Sequence, residues 1–159
     1  MNRWLVLVGF VGLCLAVGGV GAAGTNPGQW YADLEKPSWT PPNWMFPIAW
    51  TTLYILMGTA AWLIWERRRV RDVRVALGIF FGQLILNGLW SWLFFAYHLI
   101  GWALVDIVAL WGAIVAMLIC FAEIRPRAAL LIVPYLLWVS YATALNAWIW
   151  DANTLLPLS

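Results

Sequence analysis

The sequence predicts an all-α integral membrane protein, built as one five-helix transmembrane bundle over residues 1–159. Hydrophobic residues make up 64% of the chain and charged residues only 10%, far less charge than the surface of a soluble domain carries. The mean hydropathy is +0.82. Five apolar runs are each about 20 residues long, which is enough to cross a hydrocarbon core roughly 30 Å thick.

The five predicted spans lie near residues 4–23, 44–65, 75–97, 102–122 and 128–149. The first span follows Asn2 and Arg3 and ends in small residues, so a cleaved signal peptide is an alternative interpretation. A retained helix is favoured because the run is longer than a usual signal core. Its many glycines also suit close packing against other helices.

The long loop at residues 24–43 is predicted to be an ordered lid between the first and second spans. Loops of this length are usually functional or disordered, and disordered segments are poor in aromatic residues. This loop contains Trp30, Tyr31 and Trp39, together with several prolines that restrict its backbone. A helical turn is expected near residues 28–35.

Basic residues are concentrated in the loops after the second and fourth spans. With five spans these loops lie on the same side as Arg3, whereas the other side has only Lys36, offset by Asp33 and Glu35. Short loops rich in arginine stay in the cytoplasm, so we expect a cytoplasmic N-terminus and an external C-terminus. A basic loop can also bind anionic lipid or nucleic acid, but topology explains it more simply, and no nucleic-acid partner is predicted. The loop residues are Arg67, Arg68, Arg69, Arg71, Arg74, Arg125 and Arg127.

The 14 tryptophans suit two roles, aromatic belts at the membrane–water boundary and aromatic walls around a flat apolar ligand. Three spans each carry aromatic or amide side chains three or four residues apart, which places them on one helix face. If the three faces converge, they form an aromatic cavity with a few polar anchors. The alternative is ordinary bundle packing with hydrogen bonds between side chains. The faces comprise Phe46, Trp50, Tyr54 and Met57 on the second span; Gln83, Asn87 and Trp90 on the third; and Tyr135, Trp138, Ala142, Leu145 and Asn146 on the fifth.

Two further features of the spans are open to more than one interpretation. Gly78 and Gly82 form a small-xxx-small pair that permits close helix contact, either between two copies of the chain or within one chain. Asp106 is the one acid well inside a predicted span. It is either part of a proton relay or a hydrogen-bonded structural carboxylate.

Several kinds of active site have no support in the sequence. No cluster of histidines, cysteines and carboxylates has the spacing of metal ligands, and there is no phosphate-binding loop or serine nucleophile elbow. His98, the single histidine, lies at the end of a span, which argues against an axial haem ligand in the core. We therefore expect no metal and no required cofactor.

The chain resembles the translocator protein family, whose bacterial members are called tryptophan-rich sensory proteins and whose animal members were once called peripheral-type benzodiazepine receptors. The resemblance runs in order through nearly the whole chain, and the bacterial type fits best. Its motifs are Trp30–Pro42, Phe46-Pro47, Ala49-Trp50, Asn87 with Trp90, Val105-Asp106, Pro134–Trp138, Ala142-Thr143 and Leu145-Asn146.

The resemblance implies a homodimeric five-helix bundle that binds porphyrins, sterols and synthetic aromatic drugs. It places the dimer contact on Gly78 and Gly82 and the pocket on Tyr31, Trp50, Tyr54, Trp90, Trp138 and Ala142. Together with the faces and the lid, the predicted ligand-binding residues are Tyr31, Trp39, Phe46, Trp50, Tyr54, Gln83, Asn87, Trp90, Trp138, Ala142 and Asn146.

One departure from the animal members affects the expected ligand. Their cholesterol-recognition motif has a tyrosine and an arginine where this chain has Ala147 and Asp151. Such motifs are weak, but their loss favours a porphyrin over cholesterol.

The leading hypothesis is therefore a receptor, sensor or carrier in a bacterial cell membrane that binds tetrapyrroles, such as protoporphyrin IX or haem, as ligands. Trp50, Trp90 and Trp138 would wall the ring, and Gln83, Asn87 and Asn146 would orient its polar edges. The first alternative, which the resemblance implies, is an enzyme for light-dependent porphyrin breakdown, with Trp50 or Trp138 as electron donor. The second is a transporter of sterol-like or other small apolar solutes.

Overall fold

The computed structural model describes residues 2–24 and 28–154. Five of the described helices are long and apolar enough to cross a membrane, which confirms the five-span prediction. A sixth, short helix lies in the lid, and a π-helical turn, Trp92–Ala96, extends the third span. The helices are α1 (Arg3–Ala23), α2 (Gly28–Asp33), α3 (Met45–Trp65), α4 (Arg74–Ser91), α5 (Ile100–Ile124) and α6 (Pro126–Thr154).

The helix bounds differ most from the sequence prediction in α6, which runs from Pro126 to Thr154 instead of 128–149. Proline suits the first position of a helix, because its missing N–H would have had no partner there. The additional C-terminal turn brings Asn153 to the lid, where it bonds the backbone of Glu35. Part of the predicted lid, residues 25–27, lies outside the described residues.

The five long helices form a ring in the order α1, α3, α6, α5 and α4. This is not the order of the chain, because α6 packs between α3 and α5. Helix α5 packs along both α4 and α6, whereas α1 packs mainly on α3 and to a smaller extent on α4. Large apolar side chains fill the centre, including Phe80, Met57 and Ile107, all of them almost fully buried.

Helices α1 and α3 approach closely because one residue of α3 lacks a side chain. A Cβ added at Gly58 would lie 2.6 Å from the Cα of Val11, closer than real Cβ atoms come to backbone. The corresponding atom at Gly12 of α1 would meet nothing within 4 Å. The contact between the two backbones therefore depends on the glycine in α3.

Substitution of Gly58 by alanine is expected to destabilise the bundle. Overpacking of this kind costs about 1–3 kcal/mol, although alanine is intrinsically the better helix former by about 1 kcal/mol. Thermal unfolding in detergent should show a lower Tm for Gly58→Ala than for wild type. The matched variant Gly12→Ala should unfold at or slightly above the wild-type temperature. Equal Tm values for the two variants would contradict the tight α1–α3 contact.

The two ends of the bundle differ in charge. At the end we call the basic end, the Glu66 carboxylate pairs with Arg125 at 3.0 Å and with Arg3 at 3.4 Å. The arginine-rich segment 67–74 lies at the same end, between α3 and α4. The opposite end, called the lid end, carries α2 and the rest of the described lid.

Candidate functional site

A cavity of about 670 Å³ lies at the lid end of the bundle, enclosed by α1, the lid, α3 and the end of α4. The described residues that line it are uncharged. Their polar side-chain groups are hydroxyls, one amide and the indole N–H groups of Trp50 and Trp90, and their largest surfaces are aromatic rings. The lining residues are Leu15, Gly18, Gly19, Gly21, Ala22, Gly28, Tyr31, Ala32, Asn43, Phe46, Pro47, Trp50, Thr51, Tyr54, Trp90, Ser91 and Phe95.

Trp50 is the centre of the aromatic wall. Its ring stacks on Tyr54 with the centroids 5.7 Å apart, lies 6.3 Å from Trp90 and meets Trp138 edge to face at 6.4 Å. These separations are typical of attractive aromatic pairs. The predicted faces of the second, third and fifth spans therefore converge on one ring system.

Trp138 and Ala142 do not line this cavity. They lie on the far side of the aromatic wall, at a small void of about 20 Å³. Phe46 and Trp90 border both spaces, so their rings separate the two. Among the described residues, the buried indole N–H of Trp138 finds no hydrogen-bond acceptor. The predicted site is thus divided into a large cavity and a small void.

The amides of Gln83 and Asn87 are fully engaged in a buried network and line neither space. The Tyr54 hydroxyl donates to Asn87 Oδ1 at 2.6 Å, and Asn87 Nδ2 donates to the Tyr135 hydroxyl at 3.0 Å. That hydroxyl donates in turn to Gln83 Oε1 at 2.8 Å, while Gln83 Nε2 points to the Met57 sulfur at 3.8 Å. Both amides therefore hold tyrosine hydroxyls in place, as expected because buried polar groups need hydrogen-bond partners.

Asn146 holds the indole ring of Trp90 in place in a similar way. Its Oδ1 accepts from the Trp90 indole N–H at 3.0 Å, and its Nδ2 donates to the carbonyl of Ile100, also at 3.0 Å. The side chain is buried at the edge of the small void. Asn146 therefore orients one ring of the cavity wall from behind.

The lid is bonded to the end of α6. Asn153 Nδ2 donates to the carbonyl of Glu35, and the N–H of Glu35 donates back to Asn153 Oδ1, each at 3.0 Å. Trp39, predicted to bind ligand, is half-exposed and lines neither space. Its carbonyl accepts from the Tyr141 hydroxyl at 2.6 Å, and the two rings meet edge to face. Through these two contacts Trp39 attaches the lid to α6.

Two more contacts hold α2 in place. The Trp30 ring stacks on His98 with the centroids 3.9 Å apart. The Lys36 ammonium donates to the carbonyls of Tyr31, Ala32 and Leu34 and lies over the Tyr31 ring. It thereby neutralises the carbonyl end of this short helix.

Tyr31 brings the lid into the cavity wall. Its ring packs against Phe94 and Phe95 and is almost completely buried. Burial, reinforced by the nearby Tyr141, raises the pKa of the Tyr31 phenol above its ordinary value of 10.0. The phenol is therefore a neutral hydroxyl near pH 7.

Gly78 and Gly82 lie together on the outer face of α4. Both are exposed, and a Cβ added at either would meet nothing within 4 Å. Neither glycine packs tightly against the described residues, so this face leaves room for another helix.

Asp106 is buried on α5 and lines neither space. Within the described part of the chain, its Oδ2 has no hydrogen-bond partner, and no three metal-binding side chains cluster. Because Asp106 lines neither space, the polar side-chain groups of the described lining are hydroxyls, amides and indole N–H groups.

Sequence reasoning missed two contributions to the site. Ser91 and Thr51 supply hydroxyls to the cavity, and Asn153 holds the lid. The residue types gave little signal, because isolated small polar residues near span ends are common. Only the contact between distant helices gives them a role.

The chain matches the TspO/MBR family over residues 10–151. It is 45% identical to the tryptophan-rich protein TspO of Chlorobaculum tepidum over 157 residues, covering 96% of this chain and 99% of that one. It is 43% identical over 151 residues to the tryptophan-rich protein TspO of Archaeoglobus fulgidus, covering 94% and 97%. It is 40% identical over 155 residues to the translocator protein of Sus scrofa, covering 94% and 91%.

Proposed function

Because the chain belongs to the TspO/MBR family of membrane proteins, we propose that it is a membrane receptor or carrier that binds a tetrapyrrole such as protoporphyrin IX. The observation that carries this proposal is the uncharged, aromatic cavity beneath the lid. Its volume of about 670 Å³ lies within the range of small-molecule sites, roughly 300–1,000 Å³.

The chemistry of the cavity fits a flat, largely apolar ring with a few polar substituents. Trp50 and Trp90 present ring surfaces, and each aromatic pair adds roughly 0.5–1.5 kcal/mol beyond the burial of area. The hydroxyls of Tyr31, Thr51 and Ser91 are placed at the lining, where they can bond polar edges of the ligand. In this proposal these three hydroxyls orient the ligand, the role that the sequence pattern predicted for Gln83, Asn87 and Asn146.

The names of the relatives support a role in sensing or movement of a ligand. One relative, from Cereibacter sphaeroides, is called a tryptophan-rich sensory protein and is 36% identical over 143 residues. Another is the translocator protein of Sus scrofa. Both names fit a binding protein.

We also propose that the protein lies in the cell membrane of a bacterium with its basic end in the cytoplasm. The arginines of segment 67–74, together with Arg3, Arg125 and Arg127, would stay on that side. The lid and its cavity would then face outwards. A protease added to intact cells should cleave a site inserted in the lid and spare one inserted in segment 67–74.

We further propose a homodimer that packs through the glycine face of α4. Gly78 and Gly82 leave room there for the backbone of a second copy. Gly78→Leu with Gly82→Leu should convert the protein to monomer in a mild detergent, as judged by light scattering.

The function is tested by titrating protoporphyrin IX into the detergent-solubilised protein in the dark. Tryptophan fluorescence should be quenched along a saturable curve, and the ligand should raise Tm by mass action. Quenching that stays linear, with no change in Tm, would mean partition into the micelle and would exclude the proposal. Illumination of the saturated sample then tests the enzymatic alternative. An enzyme should convert more than one porphyrin molecule per protein molecule into breakdown products.

A further inference from the structure

The cavity reaches the surface of the bundle at two places, at the lid, where Gly28, Ala32 and Asn43 are exposed, and at the side, between α1 and α3. Its lining includes residues that are exposed on the outer surface of both helices, and several of them have little or no side chain. We call this gap the side opening. Its exposed residues are Leu15, Gly19 and Ala22 on α1 and Pro47 and Thr51 on α3.

The side opening runs from the lid ends of α1 and α3 into their membrane-spanning part. At 1.5 Å per residue, Thr51 is about 9 Å along α3 from Met45, and Leu15 is about 12 Å from the end of α1 at Ala23. A membrane around these apolar helices places hydrocarbon chains, not water, against this gap.

Helix α1 contributes few buried residues to the bundle. They are Cys14 and Gly21, whereas each of the other long helices buries a longer stretch of side chains. Helix α1 also packs closely on α3 beside the cavity, because a Cβ added at Gly18 would lie 2.2 Å from the Tyr54 ring. The next residue, Gly19, is exposed and has open space beside it, so it offers no side chain that would obstruct a ligand.

The lid is held to α6 by several hydrogen bonds. Two reciprocal hydrogen bonds join Glu35 to Asn153, and the Tyr141 hydroxyl bonds the carbonyl of Trp39. Movement of the lid away from α6 would break these bonds. At the side opening, Gly18 of α1 instead meets an aromatic ring of α3 in van der Waals contact.

We propose that the cavity takes its ligand laterally, from the hydrocarbon phase of the bilayer, through the side opening between α1 and α3. The ligand class is apolar molecules that partition into membranes and carry no charge on the part that enters. This inference rests on the proposed function, and it adds the route and the source of the ligand.

The test places a bulky group at the side opening and measures both binding rates. Thr51→Cys is made in a Cys120→Ala background, since Cys14 is fully buried. It is labelled with N-phenylmaleimide and reconstituted in phosphatidylcholine vesicles. Labelling should slow both association and dissociation of protoporphyrin IX by about tenfold. The matched control is Thr52→Cys, a neighbouring exposed threonine that does not line the cavity.

Each outcome of this experiment decides the route or the function. Slower rates in both directions at Thr51 and unchanged rates at Thr52 support lateral entry. An unchanged association rate at Thr51, with faster dissociation alone, overturns it, because the label would then disturb the site without blocking the path. If the unlabelled protein shows no saturable binding, the proposed function itself fails.

A second measurement tests the route without porphyrin. Ser91→Cys places a thiol on the inner lining of the cavity, and Gln29→Cys places one on the exposed surface of the lid. In vesicles, the apolar N-phenylmaleimide should modify Ser91→Cys, whereas a charged methanethiosulfonate should modify only Gln29→Cys. Equal reaction of the charged reagent with both, or no reaction of either reagent at Ser91→Cys, would overturn lateral entry.

Discussion

Replacing Trp50 with alanine is expected to weaken protoporphyrin IX binding by roughly thirtyfold, which corresponds to about 2 kcal/mol. Trp50 packs on Tyr54, Trp90 and Trp138, so its loss removes one face of the cavity and the support of three other rings. Trp50→Phe keeps part of the surface and should have an intermediate affinity. The measurement is the equilibrium titration in detergent, in the dark.

The control for this variant is Trp102→Ala. Trp102 is 66% exposed on α5 and lines neither the cavity nor the void, so its removal should leave the affinity unchanged. An equal loss of affinity in both variants would mean that porphyrin quenches surface tryptophans nonspecifically. An unchanged affinity in Trp50→Ala would mean that protoporphyrin IX does not bind in the cavity.

The second large effect is expected at Asn87, which bridges two tyrosine hydroxyls. Asn87→Leu keeps a similar shape but leaves the buried hydroxyls of Tyr54 and Tyr135 without this partner. An unsatisfied buried group costs about 1–3 kcal/mol, so unfolding in detergent should occur at a clearly lower temperature. Porphyrin affinity should fall as well, because Tyr54 lines the cavity and would lose its anchor.

A double-mutant cycle separates this hydrogen bond from general damage to the core. Tyr54→Phe removes the donor to Asn87, so it should cost less stability in the Asn87→Leu background than in wild type. The exposed Tyr97 (61% accessible) supplies the control, since Tyr97→Phe should cost little in either background. Strict additivity of Tyr54→Phe and Asn87→Leu would show that the bond contributes nothing.

Much of the fold followed from local patterns that act along one helix. Length and hydropathy placed the spans, and aromatic residues in the loop at 24–43 indicated an ordered lid. Helical spacing assigned Trp50 and Tyr54 to one face of α3, and both lie in the cavity wall. These features depend on residues close together in the sequence, so they can be predicted from the sequence alone.

The division of the site could not be predicted in the same way. Trp138 has the same spacing pattern as Trp50, yet it faces the small void, and the Asn87 amide bonds tyrosines of two other helices. A helical wheel tells which residues share a face, but not which helix or side chain meets that face. Hydrogen-bond partners more than thirty positions apart, such as Tyr54 and Asn87, are decided by packing.

The sequence by itself determined that this is a five-span membrane protein with an aromatic lid, because burial in lipid requires long apolar helices and each leaves a local pattern. The tertiary structure alone decided that α6 packs between α3 and α5, that the amides hold tyrosines, and that α1, the lid and α3 together enclose a cavity. The physical reason is that several ring orders can bury the same helix faces. Close contacts such as Gly58 against Val11, together with the satisfaction of buried polar groups, distinguish one order from the others.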